Sequence, residues 1–108
     1  MGFQTGSALL DAIVLAAVSR DEEGAYGYQL TQQVRRVLDI SESTLYPVLR
    51  RLGRDGYLRT YDREYCGRNR RYYQITKQGR ETLEAYIREW GDYSGRISRF
   101  FEEGQHES

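Results

Sequence analysis

Residues 43–54, STLYPVLRRLGR, set three hydroxyl side chains, Ser43, Thr44 and Tyr46, ahead of three guanidinium groups, Arg50, Arg51 and Arg54. A guanidinium is a planar, permanently charged fork of donors that matches phosphate and carboxylate oxygens. Hydroxyls and free backbone N–H groups at a helix start bind the same oxygens. A second cluster, Arg68, Arg70 and Arg71, stands within GRNRRYY. This chemistry holds anions and makes no bonds. The chain contains one Cys and one His, so it can assemble neither a zinc ligand set nor a Cys/His nucleophile pair, and no paired carboxylates stand out. The expectation is a non-enzyme with no metal and no cofactor. Cys66, close to the second arginine cluster, reads as incidental, and His106 falls in a polar tail.

Charge distribution supports an anion-binding face. The net charge of the 108 residues is zero, yet residues 41–80 carry 10 basic and 4 acidic side chains. The flanking segments are acidic, with 3 basic against 5 acidic before residue 41 and 3 against 7 after residue 80. A neutral protein with a basic middle has a face suited to charge-driven binding. One cysteine offers no disulfide framework, consistent with a reduced, cytoplasmic setting. The apolar run ALLDAIVLAAV contains Asp11 and is too short to span a bilayer. It has no basic segment before it, and MGFQTG misses the myristoylation pattern because Gly6 stands where Ser or Thr is required. Of 14 aromatic residues, 10 are tyrosines, which suit half-wet surfaces such as interfaces.

The elements that must position these groups follow from periodicity. A helix from about Ser7 to Ser19 is apolar nearly all round and needs cover on every side. SRDEEGAYG reads as a loop. YGYQLTQQVRRVL then places Tyr26, Leu30, Val34, Val37 and Leu38 at helical spacing. After a short connection a third helix begins at Glu42 to Thr44, capped by Ser41 or Ser43. Leu45, Val48, Leu49 and Leu52 form its buried stripe, while Ser43, Tyr46, Pro47, Arg50, Arg51 and Arg54 point away. A proline is tolerated there because the early turns need few backbone donors. Gly56 ends the helix as a left-handed cap. YLRTYDREY and RRYYQI read as strands joined by a CGRN tip.

Thr76 caps a last helix from near Gln78 to about Glu103, roughly 39 Å long at 1.5 Å per residue. Along it Leu83, Tyr86, Ile87, Trp90, Tyr93, Ile97, Phe100 and Phe101 recur at heptad-like intervals. Beside them runs a strip of small residues, Gly91, Ser94, Gly95 and Ser98. Two glycines weaken a helix unless another backbone packs closely there. Helix, helix, tight turn, helix, hairpin, long helix is the order of a winged helix-turn-helix, mainly α with a small β-hairpin. Residues 1–76 would be the DNA-binding domain, and residues 77–108 a dimerisation helix with a polar tail. The third helix would enter the major groove and the hairpin would be the wing.

FQTGSALLDAIVLAAV, YGYQL, SESTLYPVLRRLGRDGYL and GRNRRYYQITKQGRETL resemble the PadR family of bacterial transcriptional regulators over about residues 3–90. The resemblance implies a homodimer that binds double-stranded DNA at a palindromic operator, usually as a repressor, with Arg68, Arg70 and Arg71 in a basic wing. The chain is similar to the short branch of the family, which has a single C-terminal helix. Trp90 falls where multidrug-binding members carry a tryptophan that stacks planar ligands at the dimer interface, and by the same resemblance Asp11 lies along that interface. A pocket with both would suit a planar aromatic effector, cationic ones included. A tryptophan in a helical stripe can equally serve packing alone, and Asp11 can cap or pair with an arginine of the partner subunit. The competing reading is a winged-helix module whose basic surface meets an acidic protein.

Overall fold

The structure is a computed structural model that describes residues 7–106. The MGFQTG opening lies outside those residues. Helix α1 (Ser7–Ser19) is followed by a two-residue strand β1 (Ala25–Tyr26) and helix α2 (Gly27–Arg35). Helix α3 (Glu42–Arg54), strands β2 (Leu58–Tyr65) and β3 (Arg68–Ile75), and helix α4 (Lys77–His106) complete the chain. The strands form an antiparallel sheet in the order β1-β3-β2. This is the winged helix-turn-helix expected from the element order, with one added strand. The polar tail expected around His106 is instead the last turn of α4.

The segment read as a loop after α1 contains β1. Asp21 folds it back by accepting the Glu23 N–H at 3.1 Å, and Gly24, at φ +110°, turns the chain so that Ala25 and Tyr26 pair with Tyr73 and Tyr72. Helix α2 is shorter than its apolar spacing suggests. After Arg36 the N–H of Val37 reaches back three residues to Val34 at 3.0 Å, a tightened last turn, and Val37 lies 66% exposed beyond the helix.

Helix α3 begins where Ser41 accepts the Thr44 N–H at 3.3 Å. With that cap, Pro47 sits in the second turn, deeper than a cap at Ser43 would place it. Its missing N–H leaves the Ser43 carbonyl without a helical donor, on a turn that is exposed. The helix ends in a complete left-handed cap: Gly56 at φ +88°, its N–H on the Gly53 carbonyl at 3.2 Å, and the Tyr57 N–H on the Leu52 carbonyl at 2.9 Å.

The hairpin turn is tighter than expected. It consists of Cys66 and Gly67 alone, at φ 53° and 79°, the two-residue left-handed turn that matches strand twist, so Arg68 and Asn69 already belong to β3. Strand alternation then sorts the wing residues by face. Leu58, Thr60, Asp62 and Glu64 share a face with Ile75, Tyr73, Arg71 and Asn69; Arg59, Tyr61, Arg63 and Tyr65 share the other with Gln74, Tyr72, Arg70 and Arg68.

The core joins Val14, Leu15 and Val18 of α1, Leu30 and Val34 of α2, Leu45, Leu49 and Leu52 of α3, and Leu58, Tyr73 and Ile75 of the sheet. Leu83 of α4, expected at a dimer contact, is instead 8% exposed and belongs to this core. It lies close enough to the capped start of α4 to be held over α1. Thr76 caps α4 as expected, accepting the Gly79 N–H at 3.0 Å, and its hydroxyl donates to the Gly56 carbonyl at 2.7 Å. The beginning of α4 is thus tied to the end of α3.

Candidate nucleic-acid interface

Two arginines of α3 stand free on the exposed side of the helix. Arg50 and Arg54 make no ion pair or side-chain hydrogen bond among the described residues, and they line a cleft of about 640 Å³ between α3 and the sheet. Arg71 projects into it from β3, while Leu49, Leu58 and Tyr73 form its floor; Arg59 touches only its rim, its side chain donating to Gln74 on the opposite sheet face. No acid lines the cleft. Asp62 lies near, bonded to Arg71 at 3.2 Å, with both side chains exposed. Such a pair is worth little in water and can exchange for a phosphate. Burial raises the Tyr73 hydroxyl pKa, partly offset by Arg71, so the floor keeps a neutral phenol.

At the start of α3 the hydroxyls of Ser41, Ser43 and Thr44 cluster, with Ser41 Oγ 2.9 Å from Ser43 Oγ and 3.1 Å from Thr44 Oγ1. All three residues are exposed. Three short hydroxyls at the start of the helix form a donor surface for an anionic oxygen, with the exposed Glu42 carboxylate in the same turn. Ser41 reaches this surface through its cap geometry; its sequence position marks it as a cap and not as a contact.

Two sequence-based placements change. Tyr46 does not point freely outward: it is half-buried and packs against the core, with its ring beside Gly27. Arg51 leaves the group as well. Its Nη2 donates to Asp11 Oδ1 at 2.5 Å, spanning from α3 to α1. The helical angle explains this. Arg50 and Arg54 are about 40° apart around the axis, whereas Arg51 stands about 100° from Arg50, on the flank that carries Val48.

The wing arginines divide as alternation requires. Arg71 faces α3, while Arg68 and Arg70 lie on the outer face. Arg70 is sandwiched, 4.4 Å from the Tyr26 ring centre and 4.2 Å from that of Tyr65. Arg63, absent from the sequence-based set, lies 5.3 Å from the Tyr72 ring, which stacks on Tyr61 at 5.5 Å. Arg59 is absent from that set likewise. Both occupy alternate positions of β2, so the strand period was the available signal.

With a helix-turn-helix, an acid-free arginine cleft and a basic hairpin in place, comparison with known proteins decides the family. The sequence profile of the PadR-like family of transcriptional regulators matches residues 14–85. The chain belongs to the PadR-like family. It is 37% identical to a protein of Streptococcus mutans UA159 of solved structure, with a TM-score of 0.83 and coverage of 94% of each chain. A PadR family transcription regulator from Clostridium difficile R20291 superposes with a TM-score of 0.77 at 25% identity, over 85% of this chain and 97% of that one. A transcriptional regulator of Mycobacterium tuberculosis is 44% identical over 59 residues, 54% of this chain and 55% of the relative. The protein is thus a PadR-like transcriptional regulator by family, and no helix among the described residues is long and apolar enough to cross a membrane.

Trp90 borders an apolar groove. Leu9, Ala12, Ile13 and Ala16 of α1 face Leu83, Tyr86, Ile87 and Trp90 of α4 across a space of about 400 Å³. Asp11 does not join it. Residues 9, 12, 13 and 16 share one side of α1, whereas residue 11 falls on the opposite side with Val14, Leu15 and Val18, and its carboxylate is taken by Arg51. The expected pairing of Trp90 with Asp11 in one pocket is therefore not what this protomer presents. Farther along α4, Ile87, Ile97, Phe100 and Phe101 are exposed, and Tyr93 is half-buried against Trp90 at 6.1 Å between ring centres.

Proposed function

We propose that this protein is a homodimeric repressor that binds a palindromic DNA operator through α3 and the wing. The observation that carries the reading is the cleft between α3 and the sheet, where Arg50, Arg54 and Arg71 converge with no acid among the lining residues, on a chain of zero net charge. Arg50 and Arg54 reach base edges or phosphates in the major groove. The Ser43 and Thr44 hydroxyls hold phosphates at the start of the helix, and Tyr46 braces that turn from below. Arg71 meets the backbone beside α3, and Arg68, next to the turn, and the clamped Arg70 meet the flank.

Residues 1–76 form the DNA-binding unit and residues 77–108 the dimerisation unit. Ile87, Ile97, Phe100 and Phe101 are 39–70% exposed in the protomer, a stripe that a second α4 would cover. Tyr86 and Tyr93 flank it. A Cβ built on Gly91 or Gly95 meets nothing within 4 Å in the protomer, so this strip is left open to a second subunit. Two protomers so joined present α3 helices about 34 Å apart, matching half-sites about 10 base pairs apart. The groove beside Trp90 suits a planar aromatic effector, which would release DNA by favouring another angle between the two long helices. It can do so only through differential affinity for the two arrangements.

The direct test is binding to mixed-sequence duplex at low salt. Arg50→Ala/Arg54→Ala is expected to weaken binding about 100-fold, at about 1–3 kcal/mol per contact. Unchanged affinity would remove the DNA reading and favour an acidic protein partner for the cleft.

A further inference from the structure

Asp11 is the one acidic side chain buried among the described residues, at 8% exposed. A carboxylate at that depth is tolerated only with a charged partner. The partner is Arg51, whose side chain is 38% exposed and whose Nη2 lies 2.5 Å from Asp11 Oδ1. The remaining contacts of α3 with the body are mostly apolar, through Leu45, Leu49 and Leu52 with Tyr46 and Val48 at the edge, and its end is tied by the Thr76 hydroxyl to the Gly56 carbonyl. Apolar packing holds a helix close but orients no polar group. A short charged hydrogen bond is directional. It sits between Arg50 and Arg54 in sequence, so a rotation of α3 that broke it would swing both guanidiniums. Tyr86 of α4 lies near enough to the same carboxylate for Asp11 to contribute to its raised pKa, after burial as the larger cause. The pair therefore stands where α1, α3 and α4 meet.

We infer that Arg51 is a positioning residue for DNA binding: it fixes the rotation of α3 through Asp11 and does not itself touch DNA. The inference rests on the DNA-binding reading above. It separates the role of Arg51 from that of its neighbour Arg50.

The test measures affinity for mixed-sequence duplex by fluorescence anisotropy across a salt series. The proteins are wild type, Arg51→Gln, Asp11→Asn, the double variant and Arg51→Lys. Arg51→Gln and Asp11→Asn should each weaken binding about 10-fold, and the double variant should be no weaker than the weaker single, as for coupled neighbours. The slope of log affinity against log salt should fall alike in Arg51→Gln and Asp11→Asn, because both let Arg50 and Arg54 swing off their phosphates. A slope shallower by about 0.9 in Arg51→Gln, with Asp11→Asn binding as well as wild type or better, would overturn the inference and leave the DNA reading standing. Should Gln or Asn unfold the protein, Arg51→Lys decides. A positioning role predicts weaker binding, whereas a phosphate contact predicts wild-type affinity, since lysine serves a phosphate as a point charge. Wild-type protein with no salt-dependent binding would overturn the DNA reading itself, and this inference with it.

Discussion

Gly79→Ala is expected to destabilise the protein by about 3 kcal/mol, near the upper end of what inserting a group into a packed site costs. Gly79 lies in the first turn of α4, and a Cβ there would stand 2.2 Å from the Tyr57 carbonyl oxygen and 2.8 Å from Ile75 Cγ1. The first obstacle is backbone that cannot yield cheaply. The Tyr57 carbonyl accepts the Thr76 N–H at 3.1 Å, and the Tyr57 N–H closes the cap of α3 on Leu52 at 2.9 Å. Moving it would loosen the end of α3, the cap of α4 and the sheet edge together. Alanine favours a helix over glycine by about 1 kcal/mol, which is too little to offset the clash. A thermal melt should fall by more than about 10 °C, given about 4–8 °C per kcal/mol for a domain near this size. Gly104→Ala is the control: nothing lies within 4 Å of its Cβ, so its melting temperature should hold or rise slightly. Equal melting of Gly79→Ala and wild type would mean that α4 is not seated on Tyr57 as described.

The second large effect concerns assembly. Ile87 and Phe100 are 58% and 70% exposed, so Ile87→Glu/Phe100→Glu should leave the protomer folded. If a second α4 covers them, two carboxylates would lose water without a partner at each copy of the contact. The dimer constant should weaken at least about 1000-fold, roughly 4 kcal/mol. Sedimentation should then give a monomer at micromolar concentration, with unchanged helical content. A double variant that sediments as wild type would place the subunit contact elsewhere.

Legibility in the sequence differs from element to element for physical reasons. The order of helices, the Thr76 cap and the Gly56 stop are readable because they depend on local chemistry: a hydroxyl ahead of a helix, a glycine after one. Strand β1 is not readable, because two residues have no period and Ala25 and Tyr26 become a strand only by pairing with Tyr73 and Tyr72. Leu83 looks like one more position of an apolar stripe, and only the seating of α4 over α1 shows that it faces inward.

Within the candidate site, Arg50, Arg54 and Arg71 stand together on the exposed cleft, as helical angle and strand phase suggest. Arg51 misleads because a charged residue on the flank of an apolar stripe has two ways to turn. The decision lies in Asp11, forty residues away. A carboxylate within an apolar helix is costly to bury unpaired, and helical angles alone place residue 11 opposite Leu9, Ala12 and Ile13 on α1. Those two facts together separate Asp11 from the side of α1 that meets Trp90.

Selection of bound sequences from random duplex separates a symmetric site read by two copies of α3 from any other mode of binding. A two-fold pair of α3 helices should recover a palindrome with half-sites centred about 10 base pairs apart, lost when Arg50 and Arg54 are both alanine. Recovery of no shared sequence, or of one without two-fold symmetry, from protein shown to be folded would contradict such a pair.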